Sequence, residues 1–315
     1  IKIINNFGLS MIFFNYYKHF KKIDIVFSVF GPTFHLKQNF RHIIGLADPY
    51  IIYKNNPYLN KQAKLKTKIL TKLIYFFKNF FLFNADAFIV EIKRVKDELS
   101  SKQRFKNKDI YVVSNTINEL FFKKEEWKPI NLKTKNKTIK LGIISRKYHH
   151  KNLDILPYVR EILENKYKLK TEIFVTFNKK EWIDTSIFFK EKINNIGPLL
   201  INQCPSFYKQ IDGVIMPTLL EAMSVSPLET MFMSKPLFCS NLNFMHDSCD
   251  KYAIYFDPFN PNDIAEKIYN YFSMENFKKE IWIKDAKAYI NKFIRSQKRC
   301  EKYMDIITQN LKTNL

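Results

Sequence analysis

The sequence predicts an α/β protein made of two doubly wound domains, each a parallel sheet covered by helices on both faces. Three observations carry this. Short apolar runs rich in β-formers recur at 23–29, 87–90, 110–113, 139–144, 171–177 and 213–216. Helical stretches at 94–105, 153–164 and 261–272 alternate with them. Runs that stay apolar throughout suit strands buried on both faces, and their alternation with helices implies βαβ units. The third observation is a lysine-rich stretch without periodicity at 123–137, containing Pro129, which reads as a linker. It sets an N-terminal domain at 1–128 and a C-terminal domain at 129–273, both of ordinary size. Helices at 275–287 and 288–311 fill a tail at 274–315, which is expected to cross back to the first domain. Ligand is expected in the crevice between two such domains, at the carboxyl ends of strands.

Composition narrows the class. Of 315 residues, 46% are hydrophobic and 26% charged, with only 6 Gly and 12 Pro, which excludes fibrous and disordered chains. The formal charge is +22, with 23 Lys/Arg against 10 Asp/Glu in residues 1–129 and 29 against 20 in the rest. Seven lysines and no acid lie between Asp48 and Asp86. Such a field attracts phosphates, nucleic acid or an anionic membrane; the plain alternative is a compositional bias toward Lys, Asn, Ile and Phe. No helix-turn-helix, RNA-recognition or zinc-finger signature accompanies the charge, so nucleic acid is not an expected partner. Cys204, Cys239, Cys249 and Cys300 form no Cys-x-x-Cys pair, and buried free thiols in a reducing, cytoplasmic compartment are expected. No apolar run is long enough to span a bilayer, the best stretch, 70–90, being broken by Lys72, Lys78, Asn84 and Asp86. No signal peptide is visible.

Two constellations carry chemistry. Glu221-Ala-Met-Ser-Val-Ser-Pro-Leu-Glu229 follows a buried-looking strand at 213–217 and leads into an apolar helix that ends at Ser234-Lys235-Pro236. One carboxylate then stands at a strand end and the other at a helix N-terminus, where free N–H groups bind anions. Two glutamates eight apart mean little in isolation; the strand–loop–helix setting gives them weight. The second constellation is Gly142-Ile-Ile-Ser-Arg146-Lys-Tyr-His-His-Lys151-Asn152, directly after the first strand beyond the linker. A cation pair there would serve a diphosphate, Arg gripping two oxygens and Lys acting as a point charge. Solvated surface cations are the competing reading of that pair.

Together these segments resemble family-4 glycosyltransferases. The resemblance rests on Ser145-Arg146 and Lys151-Asn152, on Asn195-Ile-Gly197, on Tyr208, on Pro217-Thr218, on the Glu221-to-Glu229 motif, on Ser234-Lys235-Pro236 and on Tyr255-Phe-Asp257-Pro258. In the first half, 84–90 and 112–116 resemble the strand pair closing the family's N-terminal domain, so the likeness covers roughly 23–273. It implies the GT-B fold, two Rossmann-like domains facing a central cleft. It also implies a retaining transfer of a sugar from a nucleotide-diphosphate sugar to a glycan or lipid-linked acceptor. No metal or other cofactor is implied, the nucleotide sugar being a substrate, and the chain has no Asp-x-Asp triplet.

The resemblance assigns roles. Arg146 and Lys151 would meet the donor diphosphate, Glu221 the transferred sugar and Glu229 the ribose hydroxyls. The N–H groups of Ser226 and Leu228 would support phosphate or sugar, while Pro227 between them has none to offer. Gly31, Pro32 and Thr218 would line the cleft. Ala47-Asp48 stands where the family often has His-Asp, which makes Asp48 a candidate catalytic residue; His42, a lone histidine, has a structural reading. Ala222-Met223-Ser224 departs from the family's Phe-Gly. A strand and Gly-rich loop that open the family's first domain do not precede Phe27, so a further strand–helix unit is expected upstream.

Lys61, Lys64, Lys68 and Lys72 fall at helical spacing and are followed by Tyr75, Phe76, Phe77, Phe80 and Phe81. This basic amphipathic pattern suits an anionic membrane, which would place the enzyme on the inner face of the plasma membrane beside a lipid-linked acceptor in bacterial surface-polysaccharide synthesis. The alternative is a helix whose Phe face packs on the sheet. Rival functions are a nucleotide-sugar epimerase of the same fold and, in a different class, a basic nucleic-acid-binding protein.

Overall fold

A computed structural model describes residues 23–31, 39–53, 65–134, 137–293 and 295–312. The chain forms two compact units, one of residues 1–114 and 297–315 and one of residues 115–296.

The first unit is built on four parallel strands in the order β1 (Ile25–Ser28), β2 (Arg41–Gly45), β3 (Ala87–Val90), β4 (Asp109–Val112). All four residues of β3 are buried, as a central parallel strand requires. β2 escapes an apolar-run search because it opens with Arg41-His42. Both polar side chains find distant partners: Arg41 reaches Asp109 at 2.9 Å and Asn310 at 2.6 Å, and His42 bonds Ser28 Oγ at 2.8 Å. A Cβ on Gly45 would sit 2.0 Å from the Val29 carbonyl oxygen, so β1 and β2 close only around a glycine. A short helix α1 (Pro49–Ile52) follows, then α2 (Leu65–Leu82) and α3 (Lys93–Ser100). α3 buries Val95 and Leu99, and Phe105 just beyond it packs edge-on against Phe88, ring centroids 5.2 Å apart. On α2, Leu82 is buried but Phe76, Phe77 and Phe80 are more than half exposed, so those rings do not pack on the sheet. Lys61 and Lys64 lie outside the described residues, as do residues 1–22.

The second unit holds six parallel strands in the order β10 (Ile254–Phe256), β9 (Leu237–Ser240), β8 (Gly213–Met216), β5 (Ile139–Ile143), β6 (Thr171–Val175), β7 (Asn194–Asn195). The chain winds outward from β5 through β6 to β7, then returns to β8 on the other side of β5 and continues outward. The order therefore reverses between β5 and β8, the point where open α/β sheets bind ligand beyond the carboxyl ends of their strands. The helices are α4 (Leu156–Asn165), α5 (Lys179–Ile183), α6 (Ile187–Lys192), α7 (Cys204–Gln210), α8 (Ser226–Phe232), α9 (Asn243–Cys249), α10 (Pro261–Phe272) and α11 (Asn276–Tyr289). α10 starts where its sequence directs: Asn260 accepts from the N–H groups of Asn262 and Asp263, and Pro261 takes the first turn. Gly142 lets α7 lie close on β5, since a Cβ there would come 2.5 Å from the Phe207 ring.

The stretch read as a linker belongs to this second unit, and the expected boundary at 128 falls inside it. Leu132 is buried, Gln210 donates to the Ile130 carbonyl at 2.7 Å, and Lys128 N–H donates to Asn202 O at 2.9 Å. The segment lacks periodicity because side chains and backbone of distant residues, rather than a helix or strand ladder, take its hydrogen bonds. At the other end, the continuous helix expected over 288–311 is interrupted. A 3-10 turn (Ile290–Lys292) ends at Phe293, which is extended (φ −86°, ψ 138°), and α12 (Ser296–Lys312) starts afresh. The break lets Arg295 pair with Glu119 at 2.7 Å and lie over the Phe122 ring at 3.4 Å, which a continuous helix would not allow. Residues 297–312 of α12 then pack in the first unit: Arg299 pairs with Glu91 at 3.1 Å, and Tyr303 lies against Phe27 with ring centroids 5.4 Å apart. The tail thus divides between the units, 274–296 with the second and 297–315 with the first.

Candidate functional site

The site begins where β5 ends. The loop from Ile144 to Asn152 is fixed on both sides by the loops after the neighbouring strands. Toward β6, Ser145 N–H donates to Thr176 Oγ1 at 2.9 Å and the same hydroxyl donates back to Ser145 O at 3.1 Å. Toward β8, the His150 carbonyl accepts from Leu219 N–H at 2.7 Å and lies 3.2 Å from Thr218 Oγ1. Asn152 ends the loop in a left-handed conformation (φ 53°), which a short polar side chain tolerates, and its amide donates to Pro258 O at 2.7 Å.

The two cations of this loop diverge. Lys151 forms a close ion pair with Glu221 Oε1, the side chains only 17% and 15% exposed. Thr218 Oγ1 lies 3.3 Å from the same carboxylate oxygen, and its single proton serves either Glu221 or the His150 carbonyl. Glu221 Oε2 accepts no hydrogen bond among the described residues. The pair straddles the reversal between β5 and β8. Arg146 turns the other way, its Nε donating to Glu181 Oε1 at 2.7 Å. Lys147 N–H adds 3.2 Å to that oxygen. Burial raises the Glu181 carboxyl, but the hydrogen bonds from Arg146, Asn178 N–H and Lys147 N–H outweigh it and hold it below the usual carboxylate range. Burial also lowers His150.

Glu229 does not open its helix; it is the fourth residue of α8, after Ser226, Pro227 and Leu228. It is buried at 7% exposure, and Tyr208 Oη on α7 donates to its Oε2 at 3.0 Å. Burial pushes the carboxyl up to about 7, the Tyr208 hydrogen bond acting in the opposite direction. Burial and the carboxylate together push the Tyr208 hydroxyl far up, so it remains a donor. Glu229 therefore titrates near neutrality and, once ionised, can take a hydroxyl pair of a ligand as a strong acceptor. Just beyond α8 and its C-cap Met233, Ser234 adopts φ 58° where a glycine is favoured.

The first unit offers less. Asp48 caps α1, its Oδ1 accepting from Tyr50 N–H at 3.1 Å and Tyr75 Oη at 3.4 Å while Oδ2 takes Lys78 at 2.8 Å. Both oxygens are occupied, which accounts for Asp48 as a helix cap and ion-pair partner. Gly31 donates its N–H to Gly45 O at 3.1 Å, and a Cβ there would meet Ile44 at 2.2 Å, so its place is one of packing. Pro32 lies outside the described residues.

The structure thus gathers Lys151, Thr218 and Glu221 at one point and places Glu229 with Tyr208 at the start of α8. Sequence reasoning missed Glu181 and the Tyr208 hydroxyl as a partner of Glu229. Asn178-x-x-Glu181 is a legible capping box, but its contact with Arg146 spans 35 residues. Among the described residues no group of three His, Cys, Asp or Glu could hold a metal ion, and no helix is long and apolar enough to cross a membrane.

No protein-family model and no curated protein matches the chain. Solved structures do. A glycosyltransferase from Rickettsia africae superposes with a TM-score of 0.68 at 16% identity, over 99% of this chain and 85% of that one. Sucrose-phosphate synthase from Thermosynechococcus elongatus gives 0.64 at 12% identity, over 86% of this chain and 68% of that one. A variant of S. aureus TarM, solved with fondaparinux, alpha-GlcNAc-glycerol and UDP, gives 0.59 at 16%, over 85% of this chain. The chain spans about half the length of that TarM structure, 51%. At such identities the likeness is one of fold, and the fold of this chain is GT-B, with two Rossmann-like units, as in these glycosyltransferase structures.

Proposed function

We propose that the chain is a retaining glycosyltransferase of the family-4 type, moving a sugar from a nucleotide-diphosphate donor to a glycan or lipid-linked acceptor. The observation that carries this is the Lys151–Glu221 pair at the strand-order reversal, with a free carboxylate oxygen and, on the next helix, an ionisable buried glutamate. The parts divide the work. Lys151 and Arg146 supply positive charge to the donor diphosphate and stabilise the negative charge that develops on it as the glycosidic bond breaks, a large contribution when the charges are already in place. Glu221 Oε2 accepts from a hydroxyl of the transferred sugar, whose transition state carries positive character. Ionised Glu229 accepts from the ribose hydroxyls, with Tyr208 holding its other face. The N–H groups of Ser226 and Leu228 add donors at the start of α8. The similar TarM structure was solved with UDP, so a uracil nucleotide is the first donor to try.

Thermal unfolding with UDP and GDP tests this. Saturation about 100-fold above Kd should stabilise the fold by about 2.7 kcal/mol, and Arg146→Ala and Glu229→Ala should each remove most of the shift. A chain that neither nucleotide stabilises at millimolar concentration would sink the reading. Product NMR decides the anomeric outcome; inversion would refute retention.

The acceptor side of the proposal is a lipid-linked glycan of a surface polysaccharide, met at an anionic membrane. Its support is the exposed Phe76, Phe77 and Phe80 on α2, in a region of seven lysines and no acid between Asp48 and Asp86. Sedimentation with anionic vesicles, lost on Phe76→Ser/Phe77→Ser/Phe80→Ser, is expected; equal sedimentation with neutral vesicles, or none with either, argues against it.

A further inference from the structure

Arg146 stands on an exposed loop, its side chain 54% accessible, yet its guanidinium is not left to wander. Glu181, only 16% accessible, receives Nε at 2.7 Å. Glu181 is itself immobilised by a reciprocal capping box at the start of α5: its N–H donates to Asn178 Oδ1 at 2.8 Å, and its Oε2 accepts from Asn178 N–H at 2.9 Å. Since α5 follows β6, and β6 neighbours β5, the carboxylate is anchored to the sheet beside the strand that bears Arg146. The contact engages Nε alone. A guanidinium has five N–H donors; the four on the terminal nitrogens meet no acceptor among the described residues. They form the flat fork that fits two oxygens of a phosphate.

We infer that Glu181 is the positioning residue for Arg146: it holds the guanidinium by Nε and presents the terminal fork to the donor diphosphate. This rests on the reading of Arg146 as a diphosphate ligand. The role differs from that of a competitor, which would bind the fork itself and have to be displaced by phosphate. It also differs from simple helix capping, which Asn178 shares.

The experiment measures the affinity of UDP, or of GDP if that is the nucleotide bound, by titration calorimetry, together with Tm. Arg146→Ala tests the underlying reading; if it leaves affinity unchanged, the diphosphate role of Arg146 fails, and the assignment of Glu181 with it. Given a loss there, Glu181→Ala should weaken binding about 3- to 10-fold, the worth of one well-placed hydrogen bond. Glu181→Gln should restore only part of it, because the single amide oxygen can accept from Arg146 Nε or from Asn178 N–H but not from both, whereas the carboxylate serves both at once. Asn178→Ala removes the Oδ1 half of the cap but keeps the backbone N–H that holds Glu181 Oε2, so it should lower Tm while leaving affinity nearly intact. The double variant Arg146→Ala/Glu181→Ala should bind no more weakly than Arg146→Ala alone. Tighter or unchanged binding by Glu181→Ala would overturn the proposal, as would Asn178→Ala weakening the nucleotide as much as Glu181→Ala does.

Discussion

Each unit holds a carboxylate paired to a lysine just beyond a parallel strand: Asp48 with Lys78 after β2, and Glu221 with Lys151 after β8. As residue types in a sequence the two are alike. Their hydrogen bonds separate them. Asp48 engages both oxygens, with a helix N–H, a tyrosine hydroxyl and the lysine, three of its roughly four acceptor positions. Glu221 gives one oxygen to Lys151, with Thr218 Oγ1 3.3 Å from that same oxygen, and keeps the other. It also stands at the reversal of strand order in its sheet, whereas the four described strands of the first unit run in simple sequence without a reversal. The lesson is that a carboxylate–lysine pair becomes a site candidate through unspent acceptor capacity at a strand-end crevice, not through the pairing itself.

The contrast can be broken by mutation. The largest expected effect is on turnover: Glu221→Ala should reduce kcat/KM on the order of 10²- to 10³-fold, the scale for losing one preorganised polar group at a reacting centre. Asp48→Ala should leave kcat/KM within about threefold once the remaining folded fraction is counted, since both its oxygens are engaged in capping α1 and pairing Lys78. Equal losses in both variants would abolish the distinction.

A smaller effect is tied to pH. Glu229 carries a carboxyl raised to about 7, above its usual 4.5. The folded chain therefore keeps a proton that the unfolded chain has released. Stability from this group is fully present below about pH 4.5 and is lost as pH rises through about 7, a change of about 3 kcal/mol at most. Nucleotide binding should move the opposite way, because the ionised form accepts from ribose. Affinity should rise about tenfold between pH 6 and pH 8 relative to Glu229→Gln, in which both trends flatten. Parallel pH profiles for wild type and Glu229→Gln would remove Glu229 from the nucleotide site.

The smallest effect returns to Asp48. Losing the cap of α1 should cost about 1 kcal/mol, seen as a lower denaturation midpoint, and Asp48→Asn, which caps equally well, should recover most of it. A midpoint unchanged in Asp48→Ala would leave the carboxylate without the structural role its contacts describe.

Much of this protein was legible in its residues. β3 at 87–90 and α10 at 261–272 form at the expected bounds, because a fully apolar β-rich run and an Asn-Pro start are local signals that no distant contact needs to supply. The Glu221-to-Glu229 spacing placed one carboxylate after a strand and the other in the following helix, for the same local reason. What tertiary structure decided is everything that joins residues far apart in the chain. Lys151 meets Glu221 across 70 residues, Arg146 meets Glu181 across 35, and Arg41 in β2 meets Asn310 across 269. The unit boundary at 114 and the return of the chain at 297 depend on which surfaces the aperiodic 123–137 stretch and the broken C-terminal helix find to pack on. Local preference sets where strands and helices form; the partners of a charge, and so whether it is spent on the fold or left for a substrate, are set only when the sheets bring those elements together.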